Sequence, residues 1–405
     1  VNLAIVGAGP AGLKAAETAS QYGAKVTLFE GKPSAGRKFL VAGHGGLNLT
    51  HSEDLENFSK RYTGGASESF WTSLLKDFGS ENLKLWAEGL GIETFIGTSG
   101  RVFPKEFKAA PLLRRWIERL RKEGVVFKTR HYLTHITPSK ESFNLTFTTP
   151  EGVMRNSYDA IILALGGASW PRTGSTAEWI PLLQSLGISI KPFEASNCGW
   201  EVDWPDYFQK ENMPSNIEGL PLKNIAVSAG NQSIKGELLI TKYGFEGGAL
   251  YQLARVLRGM ESPCLSIDLK PSFTNEALSQ KISPFTKDMI GEAVKTWRLG
   301  AAATELLRSA ACKRGISSPF TLASLAKNLV IPLSGPRPIA EAISSAGGVS
   351  FSELNESLMV KSLPGLFLAG EMLDWEAPTG GYLLQGCFST GRLAACGAIQ
   401  HLTRV

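Results

Sequence analysis

Three glycines and an acid carry the first chemistry in this chain. Gly7, Gly9 and Gly12 have the spacing G-x-G-x-x-G, and Glu30 follows about 20 residues on. This set holds a ligand rather than breaking a bond. Gly7 turns the chain sharply, Gly9 lets the backbone approach a pyrophosphate, and Gly12 lets a helix pack on a strand. Pro10 and Ala11 complete the turn and begin that helix, whose free N–H groups and partial positive charge face an anion. A carboxylate at Glu30 can accept both hydroxyls of a ribose. It disfavours a 2′-phosphate, which leaves FAD or NAD ahead of NADP; the spacing does not choose between them.

Further glycine-marked stretches offer more contacts to the same ligand. Gly36-Arg37-Lys38 precedes a loop that contains Gly45, Gly46 and Asn48, where two cations and a backbone nest would suit phosphates. Gly166-Gly167 and Gly370-Glu371 each close a short apolar run. Gly380-Gly381-Tyr382 opens a helix whose dipole would favour negative charge on an electron-rich ring. For proton transfer the candidates are His44, Asp374 and Tyr382. His51 flanks the same loop as His44, but a loop hydrogen bond is the better explanation of either imidazole. Lys242-Tyr243-Gly244 and Trp375-Glu376 are candidate pocket walls. His131 and His135 lie in β-type surroundings with Pro138, so they form no helical metal face, and no metal is expected.

The elements that must position these groups can be read from the apolar pattern. Leu3–Val6 and Lys25–Phe29 are short buried strands around a helix that runs to Tyr22, a βαβ unit. Helices are expected over 67–90, broken at Gly79-Ser80, and over 109–122. Strands are expected at 92–96, 101–103 and 125–128, with an antiparallel excursion over 143–158. Asp159–Leu165 and Gly365–Leu368 read as further buried strands, and a helix follows Gly381 to about His401. The stretch between them differs in character. Residues 188–270 alternate in short runs and 271–336 are mostly helical. The expected organisation is a cofactor domain built from 1–187 and 337–405, interrupted by a β-rich and a helical subdomain that cap it.

Composition sets outer limits. The 405 residues are 43% hydrophobic and 20% charged, with a net charge of +5 spread along the chain, which is ordinary for a globular protein. The basic residues of 114–122 read as a solvated helix face rather than a nucleic-acid patch. No apolar run is long enough to span a bilayer. With a strand starting at Val1 and five widely spaced cysteines lacking any C-x-x-C, no secretory leader is expected. A cytoplasmic protein with reduced thiols is expected instead.

Taken together, Gly7 to Gly12 with Glu30, Gly36-Arg37-Lys38 with Gly43 to Asn48, and Gly370-Glu371 with Gly380 to Gln385 resemble the bacterial YhiN/BaiN-like flavoproteins, which include the aminoacetone oxidase. The resemblance runs the whole length, through Gly100 to Pro104 and Gly166 to Pro171. It implies an α/β fold with a glutathione-reductase-like FAD-binding Rossmann domain, FAD as cofactor and an oxidoreductase activity. The chain departs from the family pattern where Gly46 and Leu47 replace an arginine and a cysteine, and where Leu383 replaces an asparagine.

The expected function is FAD-dependent oxidation or reduction of a small molecule, an amine or a carbonyl compound, by hydride transfer. The alternatives are an RNA-modification-associated or NAD(P)H-using flavoprotein, and a redox-inert flavin scaffold. A second G-x-G-x-x-G is absent from the sequence, which argues against a dedicated nicotinamide domain. Substrate, electron acceptor and oligomeric state stay open at this level.

Overall fold

A computed structural model describes residues 1–43, 45–208, 216–283 and 286–404. The chain divides into two compact units. One joins Val1–Glu194 with Ser344–Val405, and the other is Ala195–Ile343.

The first unit is built on a five-stranded sheet in the order Leu366–Leu368, Ala160–Leu163, Asn2–Val6, Lys25–Glu30, Val126–Thr129. All four pairings are parallel. A parallel sheet needs cover on both faces, which is why Leu3 to Val6 and Ala160 to Leu163 are apolar without alternation and wholly buried. Each of their leucine, isoleucine and valine side chains contributes about 1.5–3 kcal/mol by leaving water. Leu366–Leu368 lies beside Ala160–Leu163, so the C-terminal segment of the unit completes a sheet begun by the first residues.

Two helices fix the middle of this sheet. Pro10–Gln21 begins with Gly9 at its N-cap and proline in its first turn. Tyr382–Arg404 packs against it so closely that a Cβ on Gly391 would lie 2.2 Å from the Ala11 carbonyl oxygen. Helix Ala109–Lys122 buries Ala109, Leu112, Leu113, Trp116 and Leu120. Its basic face is not all solvated: Arg119 pairs with the fully buried Glu17, which also accepts Lys14 Nζ and Trp86 Nε1, each at 2.8 Å. The break at Gly79 is a helix start, with Asn82 Oδ1 accepting the Gly79 N–H at 3.0 Å. The antiparallel excursion has three strands, Tyr132–Pro138 preceding the two expected ones.

The second unit has a seven-stranded sheet in the order Leu329–Pro332, Cys264–Asp268, Pro221–Ala229, Gln232–Thr241, Gly244–Glu246, Trp200–Glu201, Gly335–Pro336. The separation expected at residue 270 is not a boundary here. Leu329–Pro332, from the end of the helical stretch, pairs with Cys264–Asp268, and strands and helices share one hydrophobic core. Neither part could bury its apolar face without the other. The unit begins at Ala195 and ends at Ile343, against 188 and 336 expected from composition. No described helix is long and apolar enough to cross a membrane.

Candidate functional site

A cleft lies at the C-terminal edge of the parallel sheet, within the first unit. It is lined by Gly7, Gly9, Pro10, Ala11, Glu30, Gly36, Arg37, Lys38, Gly166, Gly370 and Glu371, among others. Four separated stretches of sequence therefore meet at one place, where strand ends and a helix N-terminus converge as doubly wound sheets require.

The glycines of the turn have different tasks. A Cβ on Gly12 would sit 1.8 Å from the Gly7 carbonyl oxygen, and one on Gly7 would sit 2.2 Å from that of Ala164. These two are required by the fold. Gly9 is not: it has φ −79° and ψ −177°, an extended conformation open to any residue, and a Cβ there would meet nothing within 4 Å. The helical N–H groups of Ala11 and Gly12 have no intrahelical acceptor. The fold thus places no protein side chain where a diphosphate would approach the helix N-terminus.

Glu30 is held by main-chain donors. Its Oε2 accepts the Ala8 N–H at 3.0 Å and its Oε1 accepts the Lys32 N–H at 2.8 Å. Burial pushes its carboxyl above the ordinary glutamate range, against the pull of those two donors. Each oxygen retains acceptor capacity for a ribose hydroxyl. Arg37 lines the same cleft with its guanidinium reaching Ser34 Oγ only at 3.5 Å. Lys38 has different partners from those expected of a phosphate ligand: Nζ lies 2.7 Å from Ser169 Oγ and 2.7 Å from Glu371 Oε2.

Several cleft residues were not expected at the cofactor site from the sequence. His131, Tyr132, Thr173, Ser175, Trp179 and Cys387 line it. Tyr132 donates to Glu178 at 2.9 Å, and burial with that carboxylate pushes its phenol up to about 12. Trp179 Nε1 donates to the Gly166 carbonyl at 3.0 Å and Ser175 Oγ to that of Gly167 at 2.9 Å. Tyr132 opens a strand, Cys387 lies in helix Tyr382–Arg404 and the others stand on connecting segments with no repeated spacing, so only the fold brings them together. Burial pushes the Cys387 thiol up to about 12, which makes it an unreactive wall.

The remaining candidates lie near the start of helix Tyr382–Arg404. Gly381 has φ +104°, and a Cβ there would overlap the Thr50 main chain at 2.4–2.6 Å. Thr50 Oγ1 donates to Gln385 Oε1 at 2.8 Å, so this strand and this helix are locked together. Gly380 also has positive φ. Tyr382 is buried; its ring stacks on His51 at 5.2 Å, with the Arg61 guanidinium 5.8 Å from its centroid. Its phenol is pushed up by burial and by a hydrogen bond to Glu53. Arg61 binds Glu53 through two hydrogen bonds, at 3.0 and 2.9 Å, which outweigh burial and hold that carboxyl below the ordinary glutamate range. His51 Nε2 faces the Ser99 carbonyl at 2.9 Å, and Nδ1 accepts the Glu53 N–H at 3.1 Å. Those partners require the neutral imidazole with its proton on Nε2.

Asp374 is buried with Lys191 Nζ 2.6 Å from Oδ2, and its main chain bonds Gly65 and Val349. Asn48 presents a buried Oδ1 with no protein hydrogen-bond partner, in the loop that carries Gly45 and Gly46 at positive φ. Gly167 packs on Ser345 and the Glu371 carbonyl, so it shapes the cleft from behind. His44 lies outside the described residues. The cleft residues fit FAD, with open space at Gly9 and a preset carboxylate at Glu30; Gly45, Gly46, Asn48, Asp374, Gly380, Gly381 and Tyr382 are not among the residues that line it.

A sequence profile described as HI0933-like protein Rossmann domain matches residues 1–397. The chain is 25% identical over 419 residues to a 3-dehydro-bile acid delta(4,6)-reductase of Clostridium scindens, covering 99% of each. It is 24% identical to a ribosomal RNA dihydrouridine synthase of Haemophilus influenzae, covering 96% of each. In fold it is similar to 3-ketosteroid-delta4-(5alpha)-dehydrogenase from Rhodococcus jostii RHA1, with a TM-score of 0.54 and 14% identity over 98% of this chain and 96% of that one.

Proposed function

We propose that this chain, which belongs to the HI0933-like family of Rossmann-domain proteins and is an FAD-dependent oxidoreductase, transfers hydride to or from a carbon–carbon double bond conjugated to a carbonyl. The observation that carries the cofactor assignment is the cleft in which Gly9 leaves room for a diphosphate while Glu30 stands preset by Ala8 and Lys32. The substrate class is supported by what these two relatives have in common. Reduction of a 3-dehydro-bile acid at delta(4,6) and of uridine to dihydrouridine both add two hydrogens across an alkene polarised by a carbonyl. The β-carbon of such an alkene accepts hydride and the α-carbon accepts a proton.

FAD supplies, when bound, the two-electron carrier for this exchange. The chain's own residues bind and orient. Glu30 accepts from the adenosine ribose. Gly7, Gly9, Pro10, Ala11 and Gly12 admit the diphosphate to a helix N-terminus, and Arg37 adds a cation. Gly36, Gly45, Gly46, Asn48, Gly166, Gly167, Gly370 and Glu371 wall the cofactor, and the helix start at Gly380-Gly381 favours the electron-rich reduced ring. Tyr382 and Asp374 act as positioning groups in this reading, because the structure ties the first to Glu53 and Arg61 and the second to Lys191. The substrate is a small molecule, and the five free thiols suit a cytoplasmic setting.

The test is a single turnover without oxygen. Holoprotein reduced with dithionite, freed of excess reductant, is mixed with a 3-oxo-4-ene steroid, a monocyclic enone, a uridine oligonucleotide or an imine. An enone should reoxidise the flavin and gain two hydrogens by mass. Reoxidation by the imine alone would return the assignment to amines, and by the oligonucleotide alone would move it to RNA.

A further inference from the structure

The pairing of Lys38 with Glu371 joins segments 333 residues apart in sequence. Both side chains are well covered, at 25% and 13% exposure. Their segments sit against residues on either side of the Gly9 N-cap. On one side, Gly36 N–H donates to the Ala8 carbonyl at 2.8 Å. On the other, Gly370 touches the helix so closely that a Cβ would lie 2.8 Å from that of Ala11. The Gly370 N–H is itself anchored to Thr390 Oγ1 at 3.0 Å, and its carbonyl accepts Trp375 Nε1 at 2.8 Å. The Glu371 side is therefore a rigid post, and Lys38 is the arm that reaches it.

From this geometry we infer that Lys38 is a positioning residue whose partner is Glu371, and that the pair is a latch which holds the two flanks of the dinucleotide turn together around bound FAD. This rests on the FAD assignment above. It differs from the simpler idea that Lys38 neutralises a cofactor phosphate. Ser169 and Glu371 already take two of the three ammonium N–H donors, and a carboxylate only 13% exposed, deprived of its cation, would repel a diphosphate. Arg37, with the helix N-terminus, is left as the cationic face for that diphosphate.

The two ideas predict opposite signs for one variant. Glu371→Gln frees Lys38 while keeping side-chain shape. A phosphate-binding Lys38 would then hold FAD more tightly, whereas a broken latch would release it faster. FAD dissociation is followed by the recovery of its fluorescence after dilution of the holoprotein. The latch predicts release about tenfold faster in Glu371→Gln and in Lys38→Met, within the coupling range of contacting charges. It also predicts no further acceleration in the double variant, and a return toward the wild-type rate in the reversed pair Lys38→Glu with Glu371→Lys. A loss caused by damage at either position, rather than by the missing pair, would not be restored by reversal. Release from Glu371→Gln at or below the wild-type rate overturns the latch. Protein that binds no FAD at all overturns the cofactor assignment together with the latch, so the two failures are told apart.

Discussion

The Ala8 N–H donates to Glu30 Oε2 at 3.0 Å across 22 residues, while the Ala8 carbonyl accepts the Gly36 N–H at 2.8 Å. One residue of the glycine turn thus fixes both the ribose acid and the segment that carries Arg37 and Lys38. The same carboxylate that would bind the cofactor also shapes the turn that receives it.

Acidification should expose this double role. Glu30 has a raised carboxyl, so between the ordinary glutamate range and that raised value the folded protein holds more protons than the unfolded chain. The Glu30 contribution to apoprotein stability therefore falls as pH rises through that window. Affinity for FAD runs the other way: it needs the ionised acceptor, and should decline as pH drops through Glu30's raised value, where ordinary glutamates are still charged. Glu30→Gln should flatten that dependence, and Glu30→Ala should weaken FAD by on the order of 2 kcal/mol. Fluorescence titration of apoprotein with FAD across pH measures both, and a wild-type profile identical to that of Glu30→Gln would contradict the assignment.

Substitutions at Gly9 and Gly12 should separate ligand from fold. Gly9→Ala meets no protein atom and should cost at most about 1 kcal/mol of apoprotein stability, the price of a poorer N-cap. It should nevertheless reduce FAD content sharply. Gly12→Ala places a methyl 1.8 Å from a carbonyl oxygen and should destabilise the protein itself by about 1–3 kcal/mol or more. Urea unfolding and flavin content of the two variants decide this; equal loss of stability in both would sink the distinction.

The buried ion cluster should matter for folding rather than for chemistry. Glu17→Ala strands Lys14 and Arg119 without their carboxylate and frees the Trp86 N–H. Breaking such a buried pair costs about 3–5 kcal/mol. Chemical denaturation should show that loss. A change under 1 kcal/mol would mean that water replaces the carboxylate, a substitution also visible as altered Trp86 fluorescence.

Reduction by nicotinamides should be slow. The sequence carries one dinucleotide fingerprint, and FAD takes it. Anaerobic stopped-flow mixing with NADH and NADPH should therefore give slow bleaching without tight saturation. Fast saturation at micromolar nicotinamide would require a second binding site, and the reductant would then be assigned to this class.

Glycine positions and uninterrupted apolar runs made much of the cofactor domain legible. The turn Gly7–Gly12, the acid at Glu30 and the fully apolar strands Leu3–Val6 and Ala160–Leu163 follow from local sterics and from double-sided burial, both of which act over a few residues. The same reasoning found the helix starts at Ser80 and Tyr382. Pairings between distant residues were not legible. Arg37 and Lys38 are adjacent cations in the sequence and both line the cleft, yet only the return of the chain at Gly370 gives Lys38 to Glu371, while Arg37 faces Ser34 Oγ at 3.5 Å. Asp374 and Tyr382 read as free proton carriers until Lys191, Glu53 and Arg61 are seen beside them. Likewise, the strand Leu329–Pro332 joins the β and helical stretches into one core. Backbone conformation is set by neighbours along the chain, whereas the charge state and freedom of a side chain are set by whatever the fold carries to it.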